Sequence, residues 1–483
     1  MKKSDIGVIG LAVMGENLVL NMESKGFHVS VYNRTLSVTD HFTEGRAAGK
    51  HISGYTTLKE FTESLDTPRK IMMMVRAGSA VDSIIEQLLP LLSPGDILID
   101  GGNSNYEDTE RRVKEVEAKG FYYIGAGVSG GEEGALHGPS IMPGGSVAAW
   151  PEVKPILQSI AAKAEDHTPC CDWIGAGGSG HFVKMVHNGI EYGDMQLIAE
   201  AYFVMKRMLH DENEKMASHF EEWNKGKLQS YLIEITAKIL KHKDEQGIYL
   251  IDYILDTAGQ KGTGKWSVIN AMEFGVSLNL IATAVFERAL SSHKELRIEA
   301  AKAYEENKPG FTHTPGAMLQ EIHDSLYASK LVSYAQGFAL MQEASKHFGW
   351  NLNFASIARI WRNGCIIRSA FLNRIAEAFE ADTNLSHLLL TPYFKKEIQE
   401  ALPSWKSLLS KTIREEVAVP AFSSALNYFY SLTTATLPAN MIQAQRDFFG
   451  AHTFERTDEP RGVFFHENWT GEGGETASRN YNA

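Results

Sequence analysis

Apolar residues fall along the first third of the chain in short runs, with stretches of mixed polarity between them. IGVIG (6–10), HVSVYN (28–33), KIMMMV (70–75), DILID (96–100) and FYYIG (121–125) each have the length of a strand. Polar, helix-compatible stretches of a dozen or so residues separate most of them, which is the rhythm of βαβ units on a parallel sheet. Met72 to Met74 read as part of a strand buried on both faces, since no other soft ligands lie near them for a metal. The Gly-rich stretch IGAGGSG (174–180) breaks this rhythm, and long helical patterns follow it with few strand candidates. From about Pro438 the chain turns polar and ends in GEGGETASRNYNA, the composition of an extended tail with little core of its own. The expected architecture is an α/β Rossmann-type domain over 1–178, a large all-α domain over 179–437 and a C-terminal tail over 438–483.

Within the helical region, KMVHNGIEYGDMQ (184–196) is amphipathic with an unusual polar side. Lys184, His187, Asn188, Glu191 and Tyr192 share roughly a 140° arc, with Met185, Val186, Gly189 and Ile190 opposite. Polar stripes of this kind usually face water. A second segment, KLVSYAQGFALMQ (330–342), aligns with the first: Lys184 with Lys330, Val186 with Val332, Met195 with Met341, Gln196 with Gln342. Further on, Trp361-x-x-Gly364 echoes Trp223-x-x-Gly226, so the helical domain reads as a duplicated unit. Ser333, Tyr334 and Gly337 stand in the second copy where the first has His187, Asn188 and Glu191. The helix is thus built with or without the polar cluster, and the cluster reads as functional.

Composition narrows the classes. With 483 residues, 43% hydrophobic and 22% charged, the chain is an ordinary globular protein of two or three domains. Its net charge of −12 argues against a nucleic-acid partner, so an anionic substrate would need positive charge gathered locally. The three cysteines form no C-x-x-C pair, disulfide framework or zinc set, which points to a reducing compartment. Asp5 interrupts the signal-like opening MKKSDIGVIGLAV, and no apolar run reaches the roughly 18 residues of a membrane span. A cytoplasmic protein with no membrane association is the expectation.

Gly10-Leu11-Ala12-Val13-Met14-Gly15 follows the first strand and opens a helical pattern, as a dinucleotide fingerprint does. At the end of the second strand, where an NAD enzyme places a carboxylate for the ribose hydroxyls, this chain has Asn33-Arg34-Thr35. A guanidinium and a hydroxyl there suit a 2′-phosphate, so NADP is the expected cofactor. Asp100-Gly-Gly-Asn103 and Gly127-Val-Ser-Gly-Gly131 also follow strands, at the sheet edge where open α/β folds bind ligands. GQKGTGKW (259–266) has the spacing of an NTPase P-loop, but Trp266 occupies the magnesium-binding position and no strand clearly precedes it. Lys261, Thr263 and Lys265 still make it a phosphate-binding candidate.

GLAVMG, DGGN, GVSGGEEGA, KMVHNGIEYGDMQ, KGTGKW and QAQRDFFGAHT, in this order over nearly the whole chain, resemble the decarboxylating 6-phosphogluconate dehydrogenase family. The resemblance implies oxidation of 6-phosphogluconate by NADP, with loss of carbon dioxide, to ribulose 5-phosphate in the pentose phosphate pathway. It implies Lys184 as general base and acid, and Glu191 as the acid that protonates C1. Asn103, Ser129, Gly130, Gly131, His187, Asn188, Tyr192, Lys261, Thr263 and Arg288 would contact substrate. Arg446 and His452 would reach it from the other subunit of a homodimer. Residues 10 to 15, Asn33, Arg34, Thr35, Val75, Arg76, Ala77 and Asn103 would contact the cofactor. Arg76 departs from the Lys usual in the family, which keeps the charge and alters its shape. No metal site is expected. The alternatives are a β-hydroxyacid dehydrogenase that does not decarboxylate, and a silent NADP-binding regulator.

Overall fold

The structure, a computed structural model, describes residues 3–304 and 315–473. Residues 1–425 make one compact unit and 426–483 a second. In the first, one sheet is built from β1 (Ile6–Ile9), β2 (Val29–Tyr32), β3 (Ile52–Gly54), β4 (Lys70–Met73), β5 (Ile97–Asp100), β6 (Tyr122–Val128), β7 (Ile141–Gly145) and β8 (Gly175–Ala176). Their spatial order is β3-β2-β1-β4-β5-β6-β7-β8. Pairing is parallel from β3 through β6, antiparallel between β6 and β7, and parallel again to β8. The strand order turns back between β2 and β4, on either side of β1, which opens a crevice at the carboxyl end of β1.

All five apolar runs are strands. Met72 and Met73 are fully buried in cores on opposite faces of the sheet, and Met74 is half-buried at the strand's end. The three unforeseen strands lack a readable pattern. β3 is three residues long and partly exposed, β8 has two residues, and β7 (IMPGG) carries a proline and two glycines. Pro143 has no N–H to donate, yet its carbonyl accepts from Ile174 N at 2.9 Å, so it still serves the edge of the sheet.

The helical part follows a repeated order. A long helix, Ser179–Val204, leads to a packed pair, Asn213–Trp223 and Tyr231–Lys241; a second long helix, Pro315–Phe348, leads to Phe354–Ile360 and Leu372–Ala381. The two long helices pack on each other, and Ser230 and Ser369 bridge the two copies. The first copy has additional helices, Thr263–Glu273, Asn279–Ser291 and Lys294–Ala303, of which the first two pack against its long helix.

Glycines bring Ser179–Val204 unusually close to the sheet. A methyl added at Gly127 on β6 would lie 2.4 Å from Lys184 Cβ, and one at Gly180 would meet the carbonyls of Gly125 and Met142, each at 2.5 Å. Any side chain at either position would push the helix off the strands.

The second unit departs from the expectation of an extended tail. It holds a helix, Ala439–Gly450, and a two-stranded ribbon of Phe454–Glu455 with Phe464–Phe465. Among the described residues beyond 438 the buried ones, Asp447 and Thr453, are polar, so hydrogen bonds rather than apolar packing organise this segment. Residues 474–483, the end of the expected tail, lie outside the described residues.

Candidate active site

At the end of β1, Gly10 takes φ = +100°, and a methyl there would come within 2.4 Å of the Met74 carbonyl. The turn leads into helix Val13–Ser24, whose first turn has no side-chain cap and therefore offers free N–H groups to an anion. A cleft of about 350 Å³ lies beside it, lined by Gly10, Leu11, Ala12, Asn33, Arg34, Thr35, Val75 and Arg76 among others. Of the remaining expected cofactor residues, Val13, Met14 and Gly15 begin the helix, Ala77 follows Arg76, and Asn103 lies past β5. Asn33 fixes the turn by accepting from Leu11 N at 3.2 Å and donating to Thr35 O at 3.1 Å. Arg34 is exposed at the rim and makes no ion pair among the described residues, leaving its guanidinium for a ligand. These features fit a dinucleotide phosphate.

Along the same sheet edge, β5 ends in the loop carrying Asn103. Asp100 is fully buried and shapes this loop: its carboxylate accepts from Gly102 N (3.0 Å), Ser104 Oγ (2.6 Å) and Tyr123 OH (3.1 Å), with Arg112 Nη1 at 3.6 Å. Asn103 itself is exposed. β6 then runs into Ser129, Gly130 and Gly131; Gly130 and Gly131 have φ of +105° and +62° and open helix Gly131–His137. Because β1, β4, β5 and β6 are neighbours, the cofactor cleft and these loops lie along a single edge.

Against that edge stands Ser179–Val204. Its polar stripe does not face water: Lys184, His187, Asn188 and Tyr192 are buried and Glu191 is partly buried. The apolar side is buried too, so the helix is enclosed on both faces. Lys184 Nζ lies 3.3 Å from His187 Nδ1, which also meets Asn188 Oδ1 at 3.0 Å and has Glu191 Oε2 at 3.9 Å. His187 Nε2 meets Ser129 Oγ at 3.1 Å, tying the stripe to the end of β6.

Burial drives the protonation of all three groups away from their usual values. It lowers the Lys184 pKa, with Glu191 opposing, and raises that of Glu191, with Lys184 and Arg288 opposing. His187 is held well below its ordinary value, first by burial and then by Lys184, and is therefore neutral. An amine moved toward release of its proton and a carboxyl moved toward retention form an acid–base pair on one helix face.

The far wall comes from two further helices. Thr263 begins Thr263–Glu273 after Gly262, which has φ = +97°, and no side chain caps its N-terminus. KGTGKW is thus a turn and a helix start rather than a loop throughout, with uncapped N–H groups that could face an anion and exposed Lys261 before them. Gly264 lies under the Tyr192 ring, where a methyl would come within 2.5 Å of Cδ2. Arg288 stacks 3.5 Å over the centre of that ring from Asn279–Ser291. The first unit therefore brings together Ser129, Lys184, His187, Asn188, Glu191, Tyr192, Thr263 and Arg288. Arg446 and His452 are in the second unit, both partly exposed.

Sequence reasoning missed the groups behind these. Asp100 stood in a quoted motif without a role. His181, one turn before Lys184, is buried with Nδ1 at 2.6 Å from Thr109 Oγ1. Asp194, one turn after Glu191, pairs with fully buried Lys330 at 2.5 Å. The alignment of Lys330 with Lys184 was the available signal for the last.

Comparison with known proteins matches residues 5–175 to the NAD binding domain of 6-phosphogluconate dehydrogenase and residues 180–469 to the 6-phosphogluconate dehydrogenase C-terminal domain. The chain is 55% identical over 484 residues to the decarboxylating 6-phosphogluconate dehydrogenase of Treponema pallidum, covering 99% of each. Against the Homo sapiens enzyme it is 52% identical over 484 residues, covering all of both. Among solved structures, the Plasmodium falciparum 6-phosphogluconate dehydrogenase, described in its apo form and in complexes with NADP+ and with 6-phosphogluconate, superposes with a TM-score of 0.93 at 44% identity. It covers 96% of this chain and 100% of that one.

Proposed function

The chain belongs to the decarboxylating 6-phosphogluconate dehydrogenase family, and on that premise we infer that it oxidises 6-phosphogluconate with NADP to ribulose 5-phosphate and carbon dioxide. The observation that carries this reading is the buried Lys184–His187–Glu191 array facing the sheet edge where the cofactor cleft opens.

NADP bound at the Gly10 turn supplies the hydride acceptor. Lys184, its proton affinity reduced by burial, takes the proton of the C3 hydroxyl as hydride leaves that carbon. The product is a β-keto acid. Protonated Lys184 then faces the new carbonyl oxygen and stabilises the negative charge it gains as the C1 carboxylate departs as carbon dioxide. Glu191, whose carboxyl burial shifts toward keeping its proton, protonates the enediol carbon that has lost the carboxylate, which becomes C1 of ribulose 5-phosphate. Neutral His187 donates from Nδ1 to Asn188 Oδ1 and accepts at Nε2 from Ser129 Oγ, and it packs beside Lys184 Nζ, so it orients the stripe without competing for the substrate's proton. The helix N-terminus at Thr263, with Lys261 and Arg288, holds the substrate phosphate.

The functional form we infer is a homodimer with Arg446 and His452 supplied across the interface. Helix Ala439–Gly450 supports this by exposing Met441, Ile442, Phe448 and Phe449, each more than half accessible, a patch that a second copy would cover. Cytoplasmic residence fits the three buried, unbridged cysteines, and none of the described helices is long and apolar enough to cross a membrane.

Measuring NADPH formation and carbon dioxide release together with 6-phosphogluconate tests the function. Equal amounts of both are expected. NADPH without carbon dioxide would instead identify a non-decarboxylating hydroxyacid dehydrogenase, and neither would identify a silent binder.

A further inference from the structure

We propose that Asp447 is the positioning residue that holds His452, and with it Arg446, in the geometry from which they reach substrate. This rests on the reading above that those two residues contact 6-phosphogluconate. Asp447 is fully buried between two partly exposed neighbours in function, and its carboxylate is the hub of the second unit. Oδ1 accepts from Thr453 N at 2.8 Å and from His466 Nδ1 at 3.0 Å; Oδ2 accepts from Glu467 N at 3.0 Å and Trp469 Nε1 at 2.9 Å.

The hydrogen bond to Thr453 lands one residue beyond His452. Ala451 and Thr453, on either side of it, have φ of +49° and +58°, a region costly for a residue with a side chain and most of all for a β-branched one. Such a conformation persists where both backbone groups are held. Here Asp447 takes the Thr453 N–H and Gln443 Nε2 donates to the Thr453 carbonyl, both from one helix. Asp447's own carbonyl also accepts from Ala451 N at 2.9 Å. The His452 ring is thereby laid back over the helix end: a methyl on Gly450 would meet its Nε2 at 2.6 Å, and Phe449 stands edge-on at 5.9 Å. Arg446 immediately precedes Asp447 on that helix and donates to Gln443 Oε1 at 3.1 Å, so the anchors of the turn also constrain the guanidinium.

Four donors converge on this one group, and only a carboxylate can accept from all of them. An amide would turn its own N–H₂ toward two. Asp447→Asn in the full-length enzyme should therefore raise the KM for 6-phosphogluconate by about tenfold or more, with kcat and the KM for NADP changed by less than about twofold. Arg446→Ala and His452→Ala are measured beside it, with the double variant Asp447→Asn/His452→Ala. If Asp447 acts through His452 and Arg446, the double variant raises KM by clearly less than the product of the two single effects.

Should Arg446→Ala and His452→Ala leave KM unchanged, the substrate-contact reading fails and this inference with it. If they raise KM while Asp447→Asn does not, or if the double variant is fully additive, this inference alone is overturned. Where Asp447→Asn gives no folded protein, His466→Ala, which removes one donor, decides by the same KM comparison.

Discussion

Lys184 illustrates how residue chemistry is set by surroundings rather than by type. Its amine sits among His187, Asn188 and Glu191 in a buried setting that disfavours its charge. Replacing it with Met should lower kcat by about a thousandfold, the scale of a lost general base, while NADP binding measured by fluorescence stays within about twofold. Unchanged turnover would exclude it as the base. Arg34 makes an independent test at the cofactor end. Arg34→Asp should raise the KM for NADP by tens-fold and leave that for NAD nearly constant, because only the former loses a partner for its 2′-phosphate; equal effects on both would remove NADP specificity from this residue. Arg34 was legible from its type and its place after the second strand, and the stripe that holds Lys184 from its spacing, while the role of Lys184 came with the family resemblance. Asp100 and Asp194 were not legible. Their partners, Tyr123 and Arg112 for one and Lys330 for the other, are distant along the chain, and a lone acid in a motif or on a helix does not announce that it is buried.

At the scale of elements, sequence reading succeeds where a period is long and fails where glycine and proline take the place of side chains. The five apolar strands and the stripe helix were visible; β7 and β8 were not, though they complete the platform under that helix. That the stripe serves the site was read from the sequence, but helical periodicity separates two faces without saying that both will be covered. Glu200, further along the same helix, shows what the second covering involves. It is buried, and accepts from Ala421 N at 2.8 Å and Phe422 N at 3.0 Å in the first turn of Pro420–Leu432. Burial pushes its pKa up to about 7, so the folded protein keeps a proton there that the unfolded chain gives up above about 4.5. That contribution to stability is present below about pH 4.5 and is lost as pH rises through about 7, amounting to roughly 3 kcal/mol. Glu200→Gln should therefore flatten the fall in Tm between pH 5 and 7.5, as followed by circular dichroism; an unaltered slope would mean that Glu200 does not titrate there.

For the whole molecule, a net charge of −12 surrounds a site that must hold a dianionic phosphate and a carboxylate. The first unit accordingly gathers cations locally, with Lys184 and Arg288 on either side of Glu191 and Tyr192 and Lys261 at a helix start; Arg446, proposed to join them from another subunit, lies in the second. If the last comes from the other subunit, Lys184→Met and Arg446→Ala proteins, each nearly inactive at low substrate, should regain activity when mixed. Random exchange leaves up to about a quarter of the sites wild type at both positions. No recovery after proven subunit exchange would confine each site to one chain.

Lys330 occupies in the second long helix the place that Lys184 holds in the first, yet it is sealed from solvent and neutralised by Asp194. The repeated rod thus carries two lysines at equivalent positions, and one of them serves as an internal rivet. Calorimetric titration with 6-phosphogluconate should saturate at a single equivalent per polypeptide, and the spare copy offers no vestigial second port for an inhibitor to exploit.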